Sequence, residues 1–294
     1  MSAPALTVLA TGPRCTVQDL GRPGHAGLGV TRSGAADRTS LRLANRLVGN
    51  PEGAPALEVT LGGLHLRAGR PLLVAVAGAT CAGAPVDAAV HLRAGGELRL
   101  GLPAAGLLTY VAVRGGLDVP RVLGSAATDT LSGLGPARLE PGDAPAVGPA
   151  PAGPVPDTDL APRRGLHEGP VPLRLLPGPR ADRLADGAWG ALLTTTWTVG
   201  PDSDRVGARL LGEGDGTVPA RADAGELPSE GLLRGAVQVP PSGRPVVFLA
   251  DHPVTGGYPV LAYVVDAEPG PWSTGTDVDR LAQCRPGQQV RFTA

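Results

Sequence analysis

Leu107-Leu108-Thr109-Tyr110-Val111-Ala112-Val113 is a seven-residue apolar run with Gly106 before it and Gly115-Gly116 just beyond it. It is too short for a core helix, and its β-branched and aromatic content suits a buried strand. Two more runs share this form. Leu72-Leu73-Val74-Ala75-Val76 follows Gly69-Arg70-Pro71, and Val246-Val247-Phe248-Leu249 follows Gly243-Arg244-Pro245. Gly (44) and Pro (32) together make up roughly a quarter of the 294 residues, a content that by itself points towards disorder. The strand-length runs between the turn residues argue instead for a mainly β globular protein with many tight turns.

Outward from these runs, residues 141–172 show no sustained period of 2 or 3.6 and carry a proline every few residues, the composition of a linker or a long surface connection. This predicts an N-terminal domain over 1–140 and a C-terminal domain over 173–294, each of ordinary domain size. The halves share a faint pattern. Gly-Arg-Pro precedes an apolar run in each, and Leu92–Leu100 aligns with Cys284–Phe292 as a strand-turn-strand phrase. Helical periodicity is confined to 36–48, with Leu41, Ala44, Leu47 and Val48 on one face and Ser33 as candidate cap, and to 181–195, with Leu184, Ala188 and Leu192 four apart.

Net charge is -1 and the arginines are scattered singly, which supplies no electrostatic footprint for nucleic acid. The sequence shows no apolar run of membrane-spanning length and no leader pattern, so a cytoplasmic location is expected. Cys15, Cys81 and Cys284 are far apart, without the spacing of a zinc site or a disulfide framework. All 26 basic residues are arginine. Neither a P-loop, nor a Schiff-base amine, nor a biotinylated lysine can therefore reside in this sequence.

Chemistry-bearing side chains gather in two blocks. In Thr16-Val17-Gln18-Asp19-Leu20-Gly21-Arg22-Pro23-Gly24, an amide, a carboxylate and a guanidinium lie within five residues on a loop. They suit a clamp on the carboxylate and amide of a small ligand, the alternative being a local Asp19–Arg22 ion pair. Ser33, Gly34 and Asp37 open the predicted helix, where free N–H groups can bind an anion. Asn45, at mid-helix, calls for a partner outside the helix, whereas Asn50 reads as a turn residue. Glu58 is balanced between structural ion pairing and a site role. In the second block, Gln238 sits in a strand that Pro240-Pro241-Ser242-Gly243 ends. Asp251 closes the next apolar run, and Thr255-Gly256-Gly257-Tyr258-Pro259 forms a loop whose glycines allow close backbone approach. A strand-end carboxylate there suits a general base, an amide anchor or a metal ligand, against the alternative of an Asp-capped turn.

Both blocks together resemble the biotin-dependent carboxyltransferase-like family: the C subunit of bacterial 5-oxoprolinase, the matching half of the urea carboxylase carboxyltransferase domain, and KipA-type antagonists of a kinase inhibitor. The resemblance runs from about Thr7 to Phe292. Ser-Gly-Ala-Ala-Asp at 33–37 stands where the family has Ser-Gly-Ala-Met-Asp, and Glu58 matches an acidic position. Ser203, Arg205, Gly207 and Arg209 match its Ser-Asn-Arg-Met-Gly-Tyr-Arg-Leu, whereas Asp204, Val206 and Ala208 depart from it. Ser229, Glu230, Gly231 and Gln283 match unchanged.

The resemblance implies two cyclophilin-like β-barrel domains with a few short helices. It also implies a component of an ATP-dependent 5-oxoprolinase, a hydrolase that opens the 5-oxoproline lactam to glutamate. ATP and Mg²⁺ would then act at the level of a complex with subunit-B-like and LamB/YcsF-like subunit-A proteins. The alternatives are carboxyl transfer from carboxybiotin to a urea-like amide and a non-catalytic regulator. Asp19, Arg22, Gln238 and Asp251 are the expected catalytic residues. Gln18, Ser33, Gly34, Asp37, Asn45, Glu58, Ser203, Arg209, Ser229, Glu230, Thr255, Gly256, Gly257, Tyr258 and Gln283 are expected to bind substrate, with no metal ligand. On this reading Asp251→Asn and Arg22→Ala abolish activity and leave the melting temperature little changed.

Overall fold

The structure, a computed structural model, describes residues 4–158, 160–161, 169–183, 185–214, 216–219, 227–267 and 275–294. Two compact units are present: Met1–Arg22 with Ser33–Leu166, and Pro23–Arg32 with His167–Ala294.

The first unit contains β1 (Leu6–Thr11), β2 (Arg14–Gln18), α1 (Arg38–Leu47), β3 (Ala56–Thr60), β4 (Leu64–Ala68), β5 (Leu72–Gly78), β6 (Ala88–Leu92), β7 (Glu97–Arg99), β8 (Leu108–Val113), β9 (Leu117–Asp118) and β10 (Ala146–Val147). Antiparallel pairing builds a five-stranded sheet in the order β2-β3-β8-β5-β6 and a three-stranded sheet in the order β1-β4-β7. One apolar cluster fills the space between the sheets, with Leu6, Leu66 and Leu98 from the smaller and Val17, Val59 and Val111 from the larger. The Leu107–Val113 run supplies β8, buried at every position. It shows no alternation because α1 packs on the β5–β8 region, covering the face that an ordinary half-buried strand leaves to solvent. In β4, by contrast, Leu64, Leu66 and Ala68 point inward while His65 and Arg67 are more exposed, the period of 2 expected of a one-sided sheet.

The second unit contains β11 (Val171–Pro177), α2 (Ala188–Thr194), β12 (Thr196–Val199), β13 (Gly207–Gly212), β14 (Glu230–Gly231), β15 (Ala236–Gln238), β16 (Val246–Phe248), β17 (Thr255–Gly256), β18 (Val260–Val264), α3 (Asp277–Ala282) and β19 (Gln289–Thr293). Seven of these strands close a barrel in the order β11-β18-β15-β16-β13-β12-β19. Closure is made by parallel pairing of β11 with β19, Val171 facing Val290 and Leu173 facing Phe292, which leaves the barrel no unpaired edge. Strands dominate throughout, and the expected mainly β class with a few short helices is what the chain adopts.

Several local expectations change. The helix at 36–48 forms as α1, but its cap is Asp37, whose carboxylate accepts from Ser40 N at 3.0 Å. Ser33 sits upstream with φ 51°, outside the helix. The periodicity at 181–195 resolves into a 3-10 turn at Ala181–Arg183 and α2; Gly187, with φ 78°, takes a left-handed conformation that starts a new helix there. Leu184 lies outside the described residues. The Leu92–Leu100 and Cys284–Phe292 phrases share a turn and a following strand, yet helix α3 precedes the second where β6 precedes the first. Thr276 and Asp279 form a reciprocal capping box that commits this segment to helix.

The Pro-rich stretch is partly paired. Its Ala146–Val147 forms β10 against β9, and Ala161 N donates to Asp87 O at 2.7 Å. All three cysteines are buried and none forms a disulfide. Burial pushes the Cys15 and Cys284 thiols up to about 12, with Glu58 adding to the effect at Cys15. No helix among the described residues is long and apolar enough to cross a membrane.

Candidate functional site

In the first unit, the residues of the Thr16–Gly24 block that belong to it are committed to the chain itself. Asp19, 4% exposed, accepts from Gly21 N at 2.7 Å, Ser125 Oγ at 2.6 Å and Ala126 N at 2.8 Å. The local Asp19–Arg22 pair does not form. Arg22 is 1% exposed and donates through Nε to Val122 O at 3.4 Å and through Nη2 to Ala127 O. Gln18 donates to Thr128 O at 2.9 Å and to Thr16 Oγ1 at 3.1 Å. All three therefore hold the 122–128 loop against the end of β2. Gln18 Oε1 and Arg22 Nη1 remain buried without a hydrogen-bond partner among the described residues.

The Ser33–Asp37 segment is likewise occupied. Ala35 N donates to Asp19 O at 2.9 Å, Ala36 N to Glu58 Oε2 at 3.0 Å and Asp37 N to Tyr110 Oη at 2.8 Å. The free N–H groups expected to meet an anion are thus taken by the protein. Gly34, at φ 90°, could not carry a Cβ: it would lie 2.7 Å from Gly21 N and 2.9 Å from Asp19 O. Asn45 finds the partners its mid-helix position calls for, donating to Glu52 O at 3.2 Å and Ala54 O at 2.8 Å. Asn50 bonds Val113 O and Gly115 N as a turn residue.

In the second unit, Gln238 and Tyr258 of the Thr255–Pro259 loop meet where Gln238 pairs with Val260, whereas Asp251 follows the Phe248 end of β16, which lies beside Gly235 at the other end of β15. Asp251 is fully buried and forms a two-pronged pair with Arg205, Nε to Oδ2 at 2.8 Å and Nη2 to Oδ1 at 3.0 Å. Arg205 is itself only 2% exposed. Gln238 donates to Tyr258 O at 2.6 Å, anchoring the loop. β14 pairs with β17, Glu230 facing Gly256, and Glu230 Oε1 accepts from Arg180 Nε at 2.7 Å. That contact raises the Arg180 pKa further above its ordinary value. Tyr258, Gly257, Thr255 and Ser229 are exposed, whereas Gln283 is buried as the C-cap of α3. Ser203 Oγ accepts from Arg209 N at 3.0 Å, and the Arg209 side chain reaches Asp202 O at 2.7 Å.

The two loop glycines differ. A Cβ on Gly256 would lie 2.9 Å from both Gln238 Nε2 and Leu232 Cδ1, whereas one on Gly257 meets nothing within 4 Å. A Cβ on Gly256 would push aside the ends of Gln238 and Leu232, whereas one on Gly257 finds open space. Gly256→Ala should therefore cost about 1–3 kcal/mol by forcing Gln238 off Tyr258 O, while Gly257→Ala should stay within about 0.5 kcal/mol. Chemical denaturation of both variants measures the difference, and equal losses would remove the packing explanation.

Sequence reasoning does not place Tyr110, Ser125, Thr128, Arg180 or Arg205 among the site residues. Only Arg205 carries a signal, as a matched motif position. The others are recruited across 50 or more positions by strand and loop register, Arg180 to Glu230 and Tyr110 to Glu58 among them.

Comparison with known proteins fits this geometry into a family. A model of the carboxyltransferase domain, subdomains A and B, matches residues 28–294. The chain belongs to this carboxyltransferase domain family. It is 36% identical to the 5-oxoprolinase C subunit of Escherichia coli over 98% of this chain and 90% of that protein. It is 32% identical to the Haemophilus influenzae protein of the same name, over 98% and 91%. Urea amidolyase of Lachancea kluyveri is 31% identical over 98% of this chain, which spans 17% of that protein. Among solved structures, Kluyveromyces lactis urea amidolyase superposes with a TM-score of 0.86 at 29% identity, over 98% of this chain and 18% of that one. TTHA0988 superposes at 0.84 with 41% identity, over 99% of this chain; the chain spans 56% of that structure.

Proposed function

We propose that this chain is a component of a 5-oxoprolinase, a hydrolase that opens the lactam of 5-oxoproline to glutamate. One observation carries the reading: two 5-oxoprolinase C subunits match almost the whole chain over about nine-tenths of their own length. A lactam amide resists direct attack by water, and ATP supplies the phosphoryl group that turns its oxygen into a leaving group. The chain has no lysine, and no three His, Cys, Asp or Glu side chains converge to hold a metal ion among the described residues. In this reading ATP and Mg²⁺ act at the level of the assembled complex, with subunit-B-like and LamB/YcsF-like subunit-A partners.

Within this chain the second unit presents the accessible chemistry. The Thr255–Tyr258 loop offers backbone groups and an exposed phenol, and Gln238 anchors it through Tyr258 O. Arg22, Asp19 and Gln18 act in this reading by fixing the 122–128 loop.

The test is phosphate release by the complex with its co-expressed partners, given ATP, Mg²⁺ and 5-oxoproline, urea or neither. Stimulation by 5-oxoproline alone is expected. The urea amidolyase relatives favour a second reading, carboxyl transfer from carboxybiotin to a urea-like nitrogen. Stimulation by urea only when a biotinylated carrier is added would select it. No stimulation by either substrate would point to a regulatory role.

A further inference from the structure

The outward face of the barrel carries a cleft of ≈ 450 Å³ built on β13 and β16. Register places its key side chains. Arg209 lies opposite Val246, and Leu210 N donates to Pro245 O at 2.9 Å. Leu211 and Arg244 therefore follow on the same side of the sheet as Arg209 and Val246. Leu211 and Val246 give the cleft an apolar surface, here termed its floor; Pro240 and Pro245 line it too, as do Arg209, Arg244 and Asp202.

The guanidinium groups differ in commitment. Arg209 donates to Asp202 O and lies 3.7 Å from the Asp204 carboxylate. Arg244 is exposed and makes no hydrogen bond or ion pair among the described residues. An uncommitted guanidinium fork beside an apolar floor matches a carboxylate geometrically, and the floor suits the methylene face of a small saturated ring. Arg22 differs in being 1% exposed and held by two backbone carbonyls, with only its buried Nη1 left without a hydrogen-bond partner among the described residues. The larger cleft of the first unit, ≈ 700 Å³, has Arg121 at its lining, and this side chain lies 3.8 Å from Asp19.

We infer that the Arg209–Arg244 cleft binds a small ring carboxylate, with Arg244 as the carboxylate fork and Leu211 and Val246 under the ring. Its identification with 5-oxoproline rests on the functional reading above. Arg244 is then a specificity-determining residue that separates 5-oxoproline from a neutral lactam.

Calorimetric titration of the full chain with 5-oxoproline, 2-pyrrolidinone and inorganic phosphate tests this. Binding of 5-oxoproline is expected, with 2-pyrrolidinone and phosphate each weaker by at least about tenfold, the scale of one charge-assisted bond. Arg244→Ala should weaken 5-oxoproline by about 10- to 100-fold, and Arg244→Lys by less. Leu211→Trp, which fills the floor and leaves both arginines in place, should abolish binding; unchanged melting curves show that each variant is folded. No binding of 5-oxoproline, equal binding of phosphate, or wild-type affinity in both Arg244→Ala and Leu211→Trp overturns the site. The site and the functional reading can fail separately. Arg244-dependent binding without turnover by the complex keeps the site and removes the reading. Turnover with an unchanged KM in Arg244→Ala keeps the reading and removes the site.

Discussion

Asp251→Ala is expected to destabilise the second unit by about 3–5 kcal/mol, because it leaves the buried Arg205 guanidinium without its carboxylate. Both oxygens of Asp251 meet Arg205, and neither side chain exceeds 2% exposure. This corrects the expectation from sequence that Asp251→Asn leaves the melting temperature little changed: the amide retains the shape but loses the charge that Arg205 requires. Replacing the pair together, Arg205→Met with Asp251→Leu, should recover at least half of the loss, since apolar side chains of similar volume need no counter-charge. Urea denaturation of the two single variants and the double variant measures this. A loss below about 1 kcal/mol for Asp251→Ala would show that the pair is not stabilising. Turnover per folded molecule separates the roles: an unchanged value assigns Asp251 to structure, and a loss assigns it to chemistry as well.

Glu58→Ala carries the second large effect. Glu58 Oε2 accepts from Tyr110 Oη at 2.6 Å and from Ala36 N at 3.0 Å, and Tyr110 Oη in turn accepts from Asp37 N at 2.8 Å. Glu58 is 2% exposed and Tyr110 fully buried, so water cannot replace the lost acceptor. Two buried donors left unmade cost about 2–5 kcal/mol together. Burial, with Glu58 and Asp37 nearby, already holds the Tyr110 pKa well above its ordinary value; the phenol therefore stays protonated and keeps donating. Amide exchange at Ala36 should accelerate in Glu58→Ala, and Glu58→Gln, which keeps an acceptor oxygen, should lose less. Wild-type stability together with unchanged exchange would refute the network.

These residues show why a site role and a structural role cannot be separated from sequence. Glu58 is evenly balanced on sequence grounds, and its partner Tyr110 lies inside an apolar strand with nothing to mark its hydroxyl. The helix at Arg38–Leu47 is legible because periodicity is local, and Asn45 is legible as a residue in need of a partner. Its partners, the carbonyls of Glu52 and Ala54, also lie within ten positions. Asp19 is legible only as a carboxylate on a loop; its hydroxyl partner, Ser125, lies 106 positions away.

By itself the sequence determined the mainly β class, the place of α1 and the motif blocks that mark the family, because alternation, turn chemistry and helical spacing are read within a few residues. Only the tertiary structure decided which arginine is sealed and which is open. Arg22 and Arg244 each sit in a Gly-Arg-Pro tripeptide, yet one is buried against the 122–128 loop and the other is exposed in the lining of a cleft. Burial and pairing of a charge depend on strand register and on segments far away in the chain, and local composition carries no record of either.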